Sequence, residues 1–238
     1  LPMLTPQTVG TRQLLQAVSV VSNDVVWVSG HGGTWARTVD GGATWTTGVV
    51  PGADSLQFRD LHALDAERAW LMSAGNGPAS QIWYSADGGQ NWTQQFRNGS
   101  TKAFYDCMAF WDEKHGIALS DGVDGIFPML ITRNGTSWGL LSDAASPPSR
   151  PGEGSFAASG TCLVTRGGAA RFYRDRFARE YDVYEGFSPD AVRVVKEEDY
   201  DSGQNQKQTR VDPIDERIMI PAIAAAGYDP DRTSVLHR

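Results

Sequence analysis

The chain has 238 residues, of which 40% are hydrophobic, and its formal net charge at pH 7 is −7. This hydrophobic content is enough for a folded core, and the acidic balance without a strongly basic stretch excludes nucleic acid as an expected partner. No apolar run reaches the length of a membrane span, so we expect a chain that does not cross a membrane. It shows no signal-type apolar leader, which favours a processed chain or a fragment.

The predicted elements form a set that returns along the chain. An alternating strand comes first, then a strand that ends in Ser or Gly, a strand that enters a tight turn, and a strand that starts at Trp. Dense turn residues separate these strands. The first two strands of each set match at 17–22, 61–65 and 108–112, and at 25–30, 69–75 and 116–122.

The tight turn recurs at a constant spacing. Its copies read TVDGGATW, SADGGQNW and TRNGTSW, and Asp40, Asp87 and Asn134 are each 47 positions apart. A repeat of roughly 40–50 residues with four strands is the size of one β-propeller blade. We therefore predict an all-β fold, with propeller blades over 10–170: three blades and the start of a fourth at 155–168.

The turn residues are interpreted as structural. Asp and Ser/Thr side chains accept hydrogen bonds from nearby backbone N–H groups, glycine supplies positive φ values, and Trp packs beneath the turn. Contact with a ligand or metal is the alternative, but the third copy has Asn in place of Asp, which an obligatory ligand site would not tolerate. The turn residues are Thr38, Asp40, Gly42, Trp45, Ser85, Asp87, Gly89, Trp92, Thr132, Asn134 and Trp138.

These turns resemble Asp-boxes, also called bacterial neuraminidase repeats, which occur in sialidases, sortilin-type receptors and photosystem II assembly/stability factors. The segments FRDLHALDAERAWLMSAG and IWYSADGGQNW are most similar to the photosystem II assembly/stability factor family and its non-photosynthetic bacterial relatives. The resemblance covers about residues 10–170. It implies a propeller with more blades than this chain shows, exported to the periplasm or beyond, which acts as a non-enzymatic scaffold for a protein partner.

A glycan-active or glycan-binding sialidase-like domain is the alternative function. Sialidases hold the substrate carboxylate with three arginines and carry an Arg-Ile-Pro motif before the first box; here Arg12 stands in that region without the motif. The segment DGVDG lacks the EF-hand pattern of calcium ligands. We therefore predict no catalytic residues, no metal and no cofactor.

A possible binding rim follows from aligning the repeats, because propellers bind ligands on the loops at one end of the blades. Polar residues lie on equivalent loops or at equivalent entries to the innermost strands, and a cation beside acids there suits a polar ligand or a partner peptide. An ordinary solvated rim is the alternative. The candidate rim residues are His31, Arg59, Asp60, Asn76, Tyr105, Asp106, Asp121 and Asp124.

The two cysteines, Cys107 and Cys162, fit neither a zinc spacing nor a CxxC motif. In an oxidising compartment they would pair as a disulfide, and otherwise they would be two buried thiols. The sequence leaves both alternatives open.

The C-terminal part, 171–238, is predicted to be a separate tail. It has 25 charged residues among 68, no Trp and no copy of the turn. Tyr173, Phe177, Tyr181 and Tyr184 fall at helical spacing, which favours a helical docking face or a partly disordered segment over a blade. A propeller that ends in open blade edges would allow self-association through those edges.

Overall fold

The structure is a computed structural model that describes residues 5–151, 153–157, 160–166, 169–176 and 180–185. All of them lie in one compact unit, Leu1–Val195. Within these residues the only helical turns are two 3₁₀ turns, Gly77–Ala79 and Asp143–Ala145. None of the described helical segments has the length and hydropathy to cross a membrane.

The first three sheets are antiparallel, with four strands each, and the spatial order of the strands equals their order in the chain. Sheet 1 contains β1 (Leu15–Val20), β2 (Val26–Gly30), β3 (Thr34–Thr38) and β4 (Thr46–Val49). Sheet 2 contains β5 (Phe58–Ala63), β6 (Ala69–Ser73), β7 (Gln81–Ser85) and β8 (Thr93–Arg97). Sheet 3 contains β9 (Tyr105–Phe110), β10 (Gly116–Ser120), β11 (Met129–Thr132) and β12 (Gly139–Leu140). Such four-stranded sheets are successive β-propeller blades, which confirms the predicted fold class.

Sheet 4 extends the repeat beyond its predicted end. It contains β13 (Glu153–Gly154), β14 (Leu163–Arg166), β15 (Ala169–Arg176) and β16 (Glu180–Glu185). Strand β15 is central, because β13 and β14 pair with one of its edges and β16 pairs with the other. The sheet therefore includes residues that were assigned to the tail.

The predicted helix is wrong for the strands β15 and β16. Tyr173 pairs with Val183, and Tyr184 pairs with Phe172, in an antiparallel ladder. The aromatic spacing misled the prediction because 173, 177 and 181 differ by four positions, which suits one face of a strand as well as one face of a helix. Phe177 and residues 186–238, which make up most of the predicted tail, lie outside the described residues.

The first recurring turn uses its carboxylate internally. Thr38 Oγ1 donates to Asp40 Oδ1 over 2.8 Å and accepts the N–H of Gly42 over 2.8 Å. Thr44 donates its N–H to Asp40 Oδ1 (2.8 Å) and its hydroxyl to Oδ2 (2.5 Å). The hydroxyl and N–H of Thr44, followed by the Thr38 hydroxyl, lower the pKa of Asp40 to about 2.

The second turn repeats these bonds. Ser85 Oγ donates to Asp87 Oδ1 over 2.9 Å and accepts the buried N–H of Gly89 over 2.9 Å. Asn91 donates its N–H to Oδ1 (2.8 Å) and its side-chain amide to Oδ2 (2.7 Å), and these two bonds are the main cause of the lowered pKa of Asp87. A Cβ on Gly89, whose φ is +87°, would lie 2.3 Å from the Trp35 ring, so the turn packs closely against sheet 1.

The third turn keeps the geometry without a charge. Asn134 Oδ1 accepts the N–H groups of Thr136 and Ser137, each over 2.9 Å. Thr132 Oγ1 accepts the N–H of Gly135 over 3.0 Å. A neutral amide oxygen thus replaces the carboxylate as the acceptor, which shows that the turn does not depend on a negative charge.

Each of the first three sheets packs one of its faces on the next sheet through an apolar cluster. We call each of these three sheet-to-sheet contacts a joint. At the three joints the main partners are Trp27 and Trp35 with Phe58 and Leu61, then Trp70 and Met72 with Met108 and Phe110, then Ile117 and Leu119 with Leu163 and Phe172. Trp92, at the end of the second turn, is half-buried in the first joint, 5.8 Å from Trp35 between ring centroids. The core is therefore divided among the joints.

Cys107 and Cys162 form a disulfide with a Cα–Cα distance of 6.0 Å. The bond links β9 of sheet 3 to the residue before β14 of sheet 4. Of the two alternatives that the sequence leaves open, the structure contains the paired one.

We expect Ser85→Ala to lower the free energy of unfolding by about 1–3 kcal/mol, because it leaves the buried N–H of Gly89 without an acceptor. Urea unfolding followed by circular dichroism measures the change. Ser55→Ala, at an exposed turn position, is the control and should stay within about 0.5 kcal/mol of wild type. Equal stability of the two variants would contradict a structural role for the turn.

The double variant Cys107→Ala/Cys162→Ala should lose about 4 kcal/mol of unfolding free energy in the chain-entropy model, because the bond closes a long loop across a separation of 55 residues. Denaturant midpoints are measured with and without a dithiol reductant. The reductant should shift the midpoint of the wild type and leave that of the double variant unchanged. A wild-type midpoint that is insensitive to a reductant shown to open the bond would refute this assignment of stability.

Candidate functional site

A β-bulge near the start of each inner strand re-aims one polar side chain. The register of β1, β5 and β9 leaves one residue unpaired in each strand, and such a residue turns its side chain away from the regular alternation. The predicted equivalence of Arg59–Asp60 with Tyr105–Asp106 is therefore shifted by one position, since Arg59 corresponds to Asp106. The three bulge residues are Gln16, Arg59 and Asp106.

Two of the bulge residues have polar partners within their own sheet. Gln16 Oε1 lies 2.7 Å from His31 Nε2. Arg59 Nε donates to Gln57 Oε1 over 3.0 Å, which holds the guanidinium beside the start of β5. His31 is thus part of the predicted rim in sheet 1, whereas Gln16 and Gln57 were missed because neutral amides carry no charge signal in the sequence.

The segment 153–157 lies against the bulge residues of sheets 2 and 3. Its backbone carbonyl at Ala157 accepts a hydrogen bond from Arg59 Nη1 over 3.3 Å, and the N–H of Ala157 donates to the Asp106 carboxyl. The N–H of Ser155 donates to Asp121 Oδ1 over 2.7 Å. The structure therefore brings Arg59, Asp106 and Asp121 together around one stretch of backbone.

Asp106 is the most perturbed carboxyl in this group. It is 2% exposed, and its Oδ2 has no hydrogen-bond partner among the described residues. Burial raises its pKa to about 9 and the charge of Asp121 adds to the rise, against the opposing effects of the Ala157 N–H and Arg59. Burial also raises the pKa of Asp121, against the Ser155 N–H. A neutral Asp106 is therefore favoured in the folded chain, where it faces little water.

Asp60 connects two inner strands. It is 3% exposed, and its two oxygens accept the N–H of Leu61 over 2.7 Å and the N–H of Met108, in the next sheet, over 2.5 Å. Burial raises its pKa to about 7, against these two bonds. Asp60 therefore lies between sheets 2 and 3 and not on a solvated rim.

The remaining predicted rim residues lie elsewhere. Asn76 precedes the 3₁₀ turn Gly77–Ala79 and makes no capping bond to it. Asp124 is exposed, has a φ of +51°, and forms an ion pair with Lys102 at 2.7 Å. Tyr105 is 2% exposed, and burial raises its pKa to about 12.

Tyr105 and Asp124 line a groove where sheets 2 and 3 meet. Its cavity volume is about 630 Å³. Apolar side chains dominate its lining, and the sequence did not indicate them, since an apolar lining has the same sequence pattern as a core. The groove residues used below are Phe96, Tyr105, Asp124, Ile126, Leu140 and Leu141.

Among the residues that the structure describes, no three His, Cys, Asp or Glu side chains are grouped so as to hold a metal ion. The site therefore has two parts: the cluster of Arg59, Asp106 and Asp121, and the open groove. Of these two parts, the groove is the one with room for a large ligand.

The class that the sheets define is the β-propeller, of which the described residues contain four consecutive four-stranded sheets. No protein-family model matches the chain. No curated protein matches it either. A family within this class is therefore not assigned by these comparisons.

Solved structures with similar chain traces include YCF48 bound to a D1 peptide, with a TM-score of 0.47, 13% identity, and coverage of 76% of this chain and 56% of that one. YCF48 from Cyanidioschyzon merolae has a TM-score of 0.46 and 15% identity, over 74% of this chain and 57% of that one. An ancestral GH74 enzyme has a TM-score of 0.39 and 12% identity, over 76% and 32%. The chain thus spans little more than half the length of the YCF48 chains, and likenesses this low assign it no function.

Asp106 should make stability fall as pH rises. Its carboxyl has a pKa of 3.8 in an ordinary setting and about 9 in the folded chain, so between these values the folded state binds more protons than the unfolded state. The loss from this group is at most about 1.4 kcal/mol per pH unit. Urea unfolding of the wild type and of Asp106→Asn at about pH 5 and about pH 8 should show a flatter dependence in the variant.

Asp54→Asn, which changes an exposed carboxylate, is the matched control and should keep the slope of the wild type. The same pH dependence in Asp106→Asn and in the wild type would disprove a neutral, buried Asp106.

Proposed function

We propose that this chain is a non-enzymatic binding or assembly scaffold that takes a peptide segment of a protein partner into the groove between sheets 2 and 3. The observation that carries the proposal is an open groove of about 630 Å³ with a mainly apolar lining. Binding sites combine such an apolar lining with a few polar groups that fix orientation. The resemblance of the turns to those of photosystem II assembly/stability factors is in keeping with a scaffold.

Asp124, in the lining of the groove, forms an ion pair with Lys102 at 2.7 Å. The side chains of Lys102 and Asp124 are 64% and 70% exposed, and a pair this exposed adds little to stability. Breaking it to bind the charges of a partner therefore costs the fold little. The pair thus offers one cation and one anion for the orientation of a polar backbone or a charged side chain.

The edge of sheet 3 beside the groove favours an extended ligand. Strand β12 has only two residues, Gly139–Leu140, which pair with β11, and Leu140 is 69% exposed. A short outer strand leaves backbone groups at the edge without a partner strand, and an extended peptide binds such an edge while its side chains enter neighbouring pockets. An apolar residue in the peptide would then contact Leu140 and Leu141.

Glycan hydrolysis is less well supported. A glycosidase of the usual kind needs a carboxyl group that reaches the glycosidic bond, and one with a raised pKa serves as the acid. Asp60 and Asp106 have raised pKa values, but they are 3% and 2% exposed and so cannot touch a sugar in this conformation. Burial is the largest cause of both raised pKa values, so these values do not by themselves indicate a catalytic acid.

We also propose that the recurring turns are Asp-boxes of the structural kind and that the protein is exported by a bacterium. The bonds from Thr38 to Asp40 and from Ser85 to Asp87 support the first proposal. The disulfide Cys107–Cys162 supports the second, because disulfides persist in the periplasm and outside the cell.

The groove is tested with a random peptide library displayed on phage and selected on the wild-type protein. The enriched peptides are titrated by fluorescence anisotropy against the wild type and Leu140→Lys. We expect the variant to raise Kd roughly tenfold or more, since it puts a charge where an apolar contact forms. Leu140 is exposed, so the substitution should leave the fold intact.

Val39→Lys, at a position that is 51% exposed and not part of the groove, is the control and should bind these peptides as the wild type does. The proposal fails if no peptide is enriched, or if the enriched peptides bind Leu140→Lys as tightly as they bind the wild type.

A further inference from the structure

Sheet 1 exposes apolar side chains along one face of its inner strand. Val18 and Val20 in β1 are 62% and 70% exposed, and Leu14, just before the strand, is 59% exposed. Ala17, which faces sheet 2, is 4% exposed. Neighbouring exposed side chains of this kind mark a contact surface more often than isolated ones do.

The turns after the inner strands establish which residues of the sheets correspond. Asp65 Oδ1 accepts the N–H groups two and three residues later, and Asp112 Oδ1 does the same. Ser22 Oγ accepts the same two N–H groups in sheet 1, over 3.2 and 3.0 Å. Ser22, Asp65 and Asp112 are therefore equivalent, and each lies four residues after the middle of its inner strand.

By this equivalence Val18 corresponds to Leu61 and Met108. Leu61 and Met108 are 6% and 3% exposed because each packs on the preceding sheet. Val18 occupies the same place in sheet 1 but is 62% exposed. The face of sheet 1 that carries Val18 is thus half of a joint, and no other sheet among the described residues packs on it. The cross-strand partners of Val18, Leu61 and Met108 are Val28, Leu71 and Ala118.

Two of the three joints also have an ion pair between a cation of one sheet and an acid in the inner turn of the next sheet. Arg37 of sheet 1 lies 3.6 Å from Glu67 in the inner turn of sheet 2, and Arg68 of sheet 2 lies 2.8 Å from Glu113 in the inner turn of sheet 3. Asp24 is an exposed acid in the inner turn of sheet 1. The exposed face of sheet 1 therefore has counterparts of the apolar side chains and the acid that sheet 2 contributes to the first joint.

Sheet 4 exposes an apolar side chain on its opposite side. Leu163 of β14 packs towards sheet 3 and is 3% exposed, whereas the next residue, Val164, points to the other face and is 42% exposed. The series of joints thus has an apolar position at both of its ends. Two different contact positions, one at each end of the described series of sheets, are what head-to-tail association requires.

We propose that two copies of this chain associate so that sheet 4 of each copy packs on the exposed Val18–Val20 face of sheet 1 of the other. The two contacts repeat the packing that joins sheets 1 to 2, 2 to 3 and 3 to 4 within one chain. The described residues of two copies contain eight sheets, which is within the four to eight blades of closed propellers. Closure with two copies limits the assembly to a dimer and leaves no free half-joint for a filament.

The mass of the full chain is measured by size-exclusion chromatography with light scattering over a range of concentrations. The wild type should have about twice the chain mass of 25.9 kDa. Val18→Lys should raise the dissociation constant at least roughly tenfold and have the circular dichroism spectrum of the wild type, because the position is already exposed. Leu140→Lys, in the groove, should remain a dimer.

A mixing experiment tests the head-to-tail arrangement. Val164→Lys should weaken the dimer as Val18→Lys does, since each contact needs both faces. An equimolar mixture of the two variants should form a dimer through one intact contact, between sheet 4 of the Val18→Lys chain and sheet 1 of the Val164→Lys chain.

Three outcomes would overturn the proposal. One is a wild type that is a monomer at every concentration, in which case the Val18–Val20 face is free or belongs to another part of a longer protein. Another is a dimer that Val18→Lys does not weaken. The third is a Val164→Lys chain that dimerises like the wild type, which would indicate a contact of sheet 1 with sheet 1.

Discussion

The packing of one sheet face on the next is the constraint on which the rest of the structure depends. A four-stranded sheet of this size cannot bury its apolar face alone, so each sheet needs a neighbour. Trp27, Trp70 and Ile117 fill equivalent places at the three joints and are at most 2% exposed. Stability is therefore built joint by joint, and each face without a neighbour is a potential contact surface.

The recurring turns hold the strands in place for this packing, and this explains why their conspicuous carboxylates do not form a binding site. The carboxylates of Asp40 and Asp87 accept hydrogen bonds from hydroxyl and N–H groups of their own turns. Asn134 does the same without a charge. The feature that stands out most in the sequence therefore has a local structural task, whereas the proposed ligand contacts come from inconspicuous apolar residues such as Leu140.

The buried acids at the inner strands are also part of the packing. Asp60 satisfies an N–H in its own sheet and one in the next, so it fastens two sheets where their strands approach. A bulge in β9 directs Asp106 towards the segment 153–157. The disulfide Cys107–Cys162, which begins at the next residue, links sheet 3 to sheet 4. These groups fix the inner ends of the sheets, and the groove farther out stays open.

The sequence by itself determined the repeat, its strand order and the positions of the turns, because strand alternation and the spacing of Ser/Thr and Asp/Asn in the turn are local signals that each of the three copies carries. It indicated the start of sheet 4 at 155–168 but not the strands β15 and β16, since the even spacing of Tyr173 and Tyr181 fits a strand and a helix equally, and the pairing of β15 with β14 and β16 decides between them. Nor did it determine the burial of Asp60 and Asp106, the disulfide or the groove. Those depend on which residues from distant repeats come into contact, and only the packing of one sheet on another settles that.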